Sequence, residues 1–279
     1  MYFIYTLKVP KELEEEFNLL FSERFPQGWE WEEEERFIFF RLYLKKEEGK
    51  VLEGLLTKYE SLELKIEELK PEDWIVSWKK YFQPLKVGKK LLILPPWERN
   101  FFSQGKIGIF IEPAQAFGTG HHPTTQLMLK NIESYFERVS EKKFLEILDF
   151  GCGTGILGIA CAKLYDNLKI YALDIDEIAL EATFKNAKLN GVESKLAILK
   201  GLPLGKKFDL ILANLSFKEL KKEALNFLRM AEKKRTKLFL SGLLEEHVEE
   251  IRSIYLSLGF TNKKIERKEE WFFLEFVYA

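Results

Sequence analysis

Three shortages limit what this chain can be. It has only two cysteines in 279 residues, Cys152 and Cys161, nine positions apart and with no Cys or His pair at ligand spacing beside them. That count excludes a disulfide framework and argues against a zinc site. Long apolar runs are missing too: nothing approaches the roughly eighteen uncharged residues that a membrane span requires. The opening stretch MYFIYTLKVPKELEEEF turns acidic within a dozen residues and does not read as a signal peptide. A soluble, cytoplasmic protein is expected, with no membrane partner. The third shortage is net charge, which is only −1. No global basic field draws the chain to nucleic acid.

What is present suits a globular protein. The chain is 46% hydrophobic and 31% charged, enough apolar content for a real core. Its length predicts one large domain or a large one with a smaller companion. The charge is uneven. Residues 1–66 hold 10 Lys/Arg against 15 Asp/Glu, a net −5, which leaves +4 for the remainder. An acidic front end favours a basic partner over a polyphosphate, although a merely solvated charged face has the same composition.

Periodicity divides the chain. MYFIYTLKV alternates like a strand, and Leu13, Phe17, Leu20 and Phe21 make a helical stripe. GWEWEEE and RFIFFRLYL read as strands, Leu52, Leu55, Leu56 and Tyr59 as a second stripe, and LELKIEEL as a closing strand. The order β-α-β-β-α-β predicts a small α+β ferredoxin-like domain over residues 1–66. It holds no obvious catalytic group, so docking is its expected role. Residues 67–90 are punctuated by Pro71 and Pro84 and carry Trp74 and Trp78, as a connector with some structure of its own would.

Residues 91–279 alternate strands and helices. EILDF, IYALD, DLILAN and LFLSG are nearly continuous apolar runs, expected of parallel strands covered on both faces. The prediction is an α/β domain with a doubly wound, mostly parallel sheet, binding its ligand beyond the carboxyl ends of the strands.

The best strand runs straight into glycines, in ILDFGCGTGILGIACAKL. Gly151, Gly153 and Gly155 open a helix, where they either make a tight turn or let a ligand approach the backbone. The spacing is G-x-G-x-G; a dinucleotide fingerprint would need its last glycine at Ile156, which argues against a nicotinamide enzyme. Asp174 ends the next strand, 23 residues after Gly151, where a carboxylate can accept from ribose hydroxyls. Upstream, EPAQAFGTGHHPTTQLML sets Phe117 beside two glycines and Thr124 and Thr125 at a helix start, as a loop closing over a ligand would. His121 and His122 are neighbours without a third ligand in range, so no metal is expected. Asn214, in ANLSF, ends a further strand and either faces the same crevice or caps the following helix.

The segments EDWIVSWKKYFQPLKVG, AFGTGHHPTT, LDFGCGTGILGIA, LDID, ANLSF, LFLSG and EEWFFLEF, in that order, resemble the PrmA family, methyltransferases of large-subunit ribosomal protein eleven. The resemblance runs from about Asp73 to Phe276 and departs at Pro113–Ala114, where Pro-Gly is usual, and at Leu215–Ser216. It implies a Rossmann-like class I fold, S-adenosyl-L-methionine as cofactor and methylation of lysine or N-terminal amines on a ribosomal protein. It further implies cofactor contacts from Phe117, Thr125, Gly151, Gly153, Asp174 and Asn214, with Asn214 also a candidate to position the substrate amine. Two rivals stay open. A nucleic-acid methyltransferase, of rRNA or DNA bases, would share the strand-end asparagine, but an aromatic stacking motif does not follow it. A non-catalytic ribosome-assembly factor would not need an intact glycine loop.

Overall fold

The computed structural model describes residues 2–25, 29–59, 61–68, 83–98, 105–112, 118–140, 142–203 and 205–279. Trp74, Trp78, Ala114 and Phe117 lie outside them, as does most of the expected connector. The chain divides into two compact units, Met1–Tyr81 and Phe82–Ala279.

In the first unit, β1 (Tyr2–Pro10), α1 (Glu14–Arg24), β2 (Glu30–Glu33), β3 (Phe37–Lys45), α2 (Lys46–Leu56) and β4 (Glu63–Glu68) follow in chain order. The four strands form one antiparallel sheet in the order β2-β3-β1-β4. Alternation decides the inner face: Tyr5, Leu7 and Val9 of β1 and Ile38, Phe40, Leu42 and Leu44 of β3 are all buried. Phe17 and Phe21 of α1 join that core, Phe21 meeting Phe40 edge-on with ring centres 5.1 Å apart. Gly49 of α2 admits the Tyr5 ring, because a Cβ there would fall 1.9 Å from it.

The second unit contains a small sheet of β5 (Leu85–Val87), β6 (Leu91–Leu94) and β7 (Ile107–Phe110). Its main sheet has seven strands. These are β8 (Leu145–Phe150), β9 (Leu168–Leu173), β10 (Leu196–Leu199), β11 (Leu210–Asn214), β12 (Lys237–Leu244), β13 (Phe260–Lys268) and β14 (Trp271–Tyr278), in the order β10-β9-β8-β11-β12-β14-β13. β8 to β12 pair in parallel, and β14 runs antiparallel to both its neighbours. One face is covered by α3 (Pro123–Phe136), α4 (Ile156–Leu164) and α5 (Glu177–Leu189), through Met128, Ile132, Ile159 and Ala187. α6 (Phe217–Met230) and α7 (Glu245–Ser257) cover the other, through Leu220, Phe227, Ile251 and Tyr255. This double cover is why the parallel strands read as unbroken apolar runs.

The start of the sheet is fixed by a buried carboxylate. Asp209 takes two bonds from Arg235 (3.0 and 2.9 Å), one from the Glu146 N–H (3.0 Å) and an ion pair with Lys143 (3.0 Å). Burial alone would raise its pKa, but the hydrogen bonds from Arg235, Glu146 and Lys143 bring it down to about 2. Chain order changes direction at the other end, where β8 lies between β9 and β11. A crevice is expected there.

Candidate active site

The crevice is present. A cavity of about 760 Å³ opens beyond the carboxyl ends of β8, β9 and β11, and Gly151, Gly153, Asp174 and Asn214 all line it. Residues far apart in sequence meet there because each follows a neighbouring parallel strand.

The glycines answer to the backbone first. Gly151, Gly153 and Gly155 have φ of +71°, +54° and +79°, a region that side chains make costly. Gly155 is the left-handed cap of α4, and a Cβ there would sit 2.9 Å from Thr183. A Cβ on Gly151 would reach within 2.5 Å of the Leu215 side chain. The turn itself therefore demands glycine, and a valine at Gly153 would strain the fold whatever the ligand.

Asp174 closes this loop from the next strand. Its Oδ2 accepts from the Gly153 N–H at 3.0 Å and its Oδ1 from the Asp176 N–H at 3.0 Å. Each oxygen keeps a further lone pair for a hydroxyl donor. Beside it, Ile175 is 93% exposed and lines the cavity with Ala179, Gly201 and Leu202. An apolar side chain so exposed offers a flat ring a surface to cover.

Asn214 has a polar partner behind it. Its Nδ2 donates to Thr125 Oγ1 at 3.4 Å, and Thr125 is fully buried in α3 instead of lining the cavity. The helix-cap role is already filled: Ser216 and Glu219 form a reciprocal capping box at the start of α6. Asn214 is thus left with its carbonyl oxygen free of any donor among the described residues. The adjoining Leu215 is set by main-chain contacts, its N–H bonding Ser241 O at 3.1 Å. Gly242 sits at a β-bulge with φ +97°, and a Cβ there would lie 2.1 Å from the Leu215 carbonyl oxygen.

Opposite lies the start of α3. The His122 Nδ1 accepts from the Thr124 N–H (3.3 Å) and caps the helix, while its ring meets Trp271 edge-on at 4.8 Å. Burial lowers the His122 pKa, so the neutral ring that can accept is favoured. Thr154 ties the glycine loop to this segment by donating to Gly118 O. Among the described residues no cluster of three His, Cys, Asp or Glu could hold a metal.

One acidic group was hidden within an apolar run. Asp149 of β8 is fully buried; its Oδ2 accepts from the Gly158 N–H at 2.9 Å and its Oδ1 has no partner among the described residues. Burial raises its pKa to about 7 against the opposing Gly158 bond, and Asp174 adds to the rise. Ile175, Leu202 and Trp271 are further wall residues that sequence reading did not single out; each reads as ordinary core until its exposure to the crevice is seen.

Residues 28–278 match the family model described as ribosomal protein L11 methyltransferase (PrmA). The chain belongs to that family. The ribosomal protein L11 methyltransferase of Shewanella sediminis is 38% identical over 216 residues, covering 76% of this chain and 70% of its own. That of Shewanella frigidimarina is 37% identical over 211 residues, covering 74% and 68%. Among solved structures, the ribosomal protein L11 methylase from Lactobacillus delbrueckii subsp. bulgaricus superposes with a TM-score of 0.63 at 27% identity, over 71% of this chain and 99% of its own. A human methyltransferase 10 domain containing protein, at 12% identity and a TM-score of 0.50, shares the fold over 61% of this chain and 90% of its own. The family makes the protein an S-adenosylmethionine-dependent protein methyltransferase with an α/β methyltransferase fold. No helix among the described residues is long and apolar enough to cross a membrane.

Proposed function

We propose that the crevice beyond β8, β9 and β11 takes S-adenosyl-L-methionine, and that the enzyme methylates amino groups, on lysine side chains or the N-terminus, of ribosomal protein L11. One observation carries this reading: Gly153, Asp174, Ile175 and Asn214 surround a single cavity, although they come from three different strand ends. The donor set fits the cofactor. Asp174 can accept from the ribose hydroxyls, and Ile175 and Leu202 can cover the adenine. The bound cofactor supplies a methyl group already activated on a sulfonium.

The protein's work is then positioning and proton handling. A lysine amine has a pKa near 10.4, so presenting it neutral at pH 7.4 costs about 4 kcal/mol; an α-amine near 7.8 costs about 0.5 kcal/mol. Burial of the amine between Asn214 and Trp271 lowers that cost by disfavouring the ammonium. Asn214, held by Thr125, offers its carbonyl oxygen to the N–H groups and so aims the nitrogen lone pair away from itself.

The first unit is proposed to recognise the substrate. Its sheet order β2-β3-β1-β4 with helices after β1 and β3 supports a ferredoxin-like module over residues 1–66. Its net −5 suits a basic ribosomal protein. The connector of residues 67–90 would then run into the second unit, whose small sheet already takes in β5.

The experiment uses the full chain with methyl-labelled cofactor and dissociated large-subunit proteins. Label on ribosomal protein L11 is expected. Label on rRNA, or on no component, would overturn the proposal.

A further inference from the structure

A second cleft lies elsewhere on the catalytic unit and shares no residue with the first. It encloses about 250 Å³ between the turn after β5, the face of α3 and the edge strand β13. Its polar walls are Lys86, Lys130, Arg267, Lys268, Gln126 and Glu266.

Four cations thus surround one carboxylate, and that carboxylate is already satisfied. Glu266 pairs with Lys130, with Lys264 at 2.7 Å and with the Asn131 amide at 3.2 Å. Lys268 rests on Gln126, an uncharged partner. Arg267 is 56% exposed; its Nε–H donates to the Glu269 carbonyl, and it pairs with the exposed Glu245 at 3.6 Å, a contact of little strength in water. Lys86 is exposed and has no ion pair among the described residues. The acids of the next turn, Glu269 and Glu270, do not line the cleft.

The cleft is built, unlike a chance gathering of lysines. The turn that follows Lys86 folds around buried Glu133, which accepts the Lys89 and Lys90 N–H groups at 3.0 and 3.2 Å. Gly88, at φ +61°, lets the chain pass that carboxylate, since a Cβ there would lie 2.3 Å from Glu133 Oε2. Residues 82–279 also carry 30 Lys/Arg against 25 Asp/Glu, opposite in sign to the first unit.

We propose that this cleft binds backbone phosphates of RNA, giving the enzyme a second hold on a substrate protein that is presented on ribosomal RNA. The proposal rests on the ribosomal substrate only for the choice of RNA; the cationic cleft stands without it. Phosphate contacts of this kind position without reading sequence, so binding should not depend on base identity.

The test measures binding of the full chain, without cofactor, to a large-subunit rRNA fragment and to an unrelated RNA of equal length between 0.05 and 0.2 M salt. Similar affinities for both RNAs are expected. The double variant Lys86→Glu with Arg267→Glu should reduce the salt slope by about 0.7–0.9 per lost contact and weaken binding roughly tenfold per contact at 0.1 M salt. Lys86→Gln with Arg267→Gln should give an intermediate loss, and both variants should methylate free ribosomal protein at the wild-type rate. Three results overturn the proposal: no RNA binding at 0.05 M salt, unchanged affinity in both variants, or complete displacement of RNA by millimolar inorganic phosphate, which would mark a small-anion site. Because binding is read without methyl transfer, failure here is distinct from failure of the methyltransferase reading.

Discussion

Asp149→Asn should remove the pH dependence of stability that this residue imposes. The carboxyl is fully buried, with one oxygen on the Gly158 N–H and the other without a partner among the described residues. Burial raises its pKa from 3.8 to about 7, so the folded state holds a proton that the unfolded chain releases. Its stabilising effect is complete below pH 3.8, falls as pH rises, and levels off above about 7. With those two values, stability relative to low pH drops by about 2 kcal/mol at pH 5 and about 4 kcal/mol at pH 8. Asparagine keeps an acceptor for Gly158 and cannot ionise. Urea unfolding of both proteins at pH 5, 6.5 and 8 checks this. The Asp149→Asn variant should gain on the wild type by roughly 2–3 kcal/mol between pH 5 and 8, whatever its offset at a single pH. A difference that stays constant within about 0.5 kcal/mol would show that Asp149 is solvated or already ionised in the fold.

Three further outcomes follow from the site. Asp174→Ala should weaken binding of S-adenosylhomocysteine by about 1.5–3 kcal/mol, the worth of hydrogen bonds to a charged acceptor, as read by calorimetry. Gly242→Ala should cost about 1–3 kcal/mol in backbone strain and push Leu215 and Asn214 out of position, so stability and kcat should fall together in chemical denaturation and methyl-transfer assays. A chain lacking residues 1–66 should bind the cofactor with near-native affinity but lose methylation of the ribosomal protein. Equal rates in the two chains would assign substrate recognition to the catalytic domain alone.

The parts of the fold that sequence made legible are those whose pattern is local. Gly151, Gly153 and Gly155 sit between an apolar strand and a helix, and a spacing of two residues suffices to place them. Asp174 and Asn214 each end an apolar run, so their location at one edge of a parallel sheet follows from topology. β10 escaped notice because Leu196–Leu199 offers only four apolar residues directly before Lys200. β13 escaped for another reason. It is an edge strand, and FTNKKIERK carries charges where an interior strand carries Val or Ile.

The walls of the crevice were harder to read, because exposure and distance have no sequence signal. Ile175 looks like any core isoleucine, yet it is almost wholly exposed, since β9 has ended and the chain has left the sheet. His122 and Trp271 are 149 positions apart, and only the return of β14 beside β12 brings the indole against the histidine cap of α3. Asp149 is the reverse case. One acid inside ILDF looks like a small interruption of an apolar strand, and only the burial of both neighbouring strands makes it a group that titrates near neutrality. The glycine loop joins these two kinds of residue. Its φ values come from the turn, but the carbonyls and N–H groups it fixes are those that Asp174, Thr183 and Asn186 hold in place. A local motif thus sets the position of the loop, and three distant side chains keep it rigid enough for Asp174 and Asn214 to face the same space.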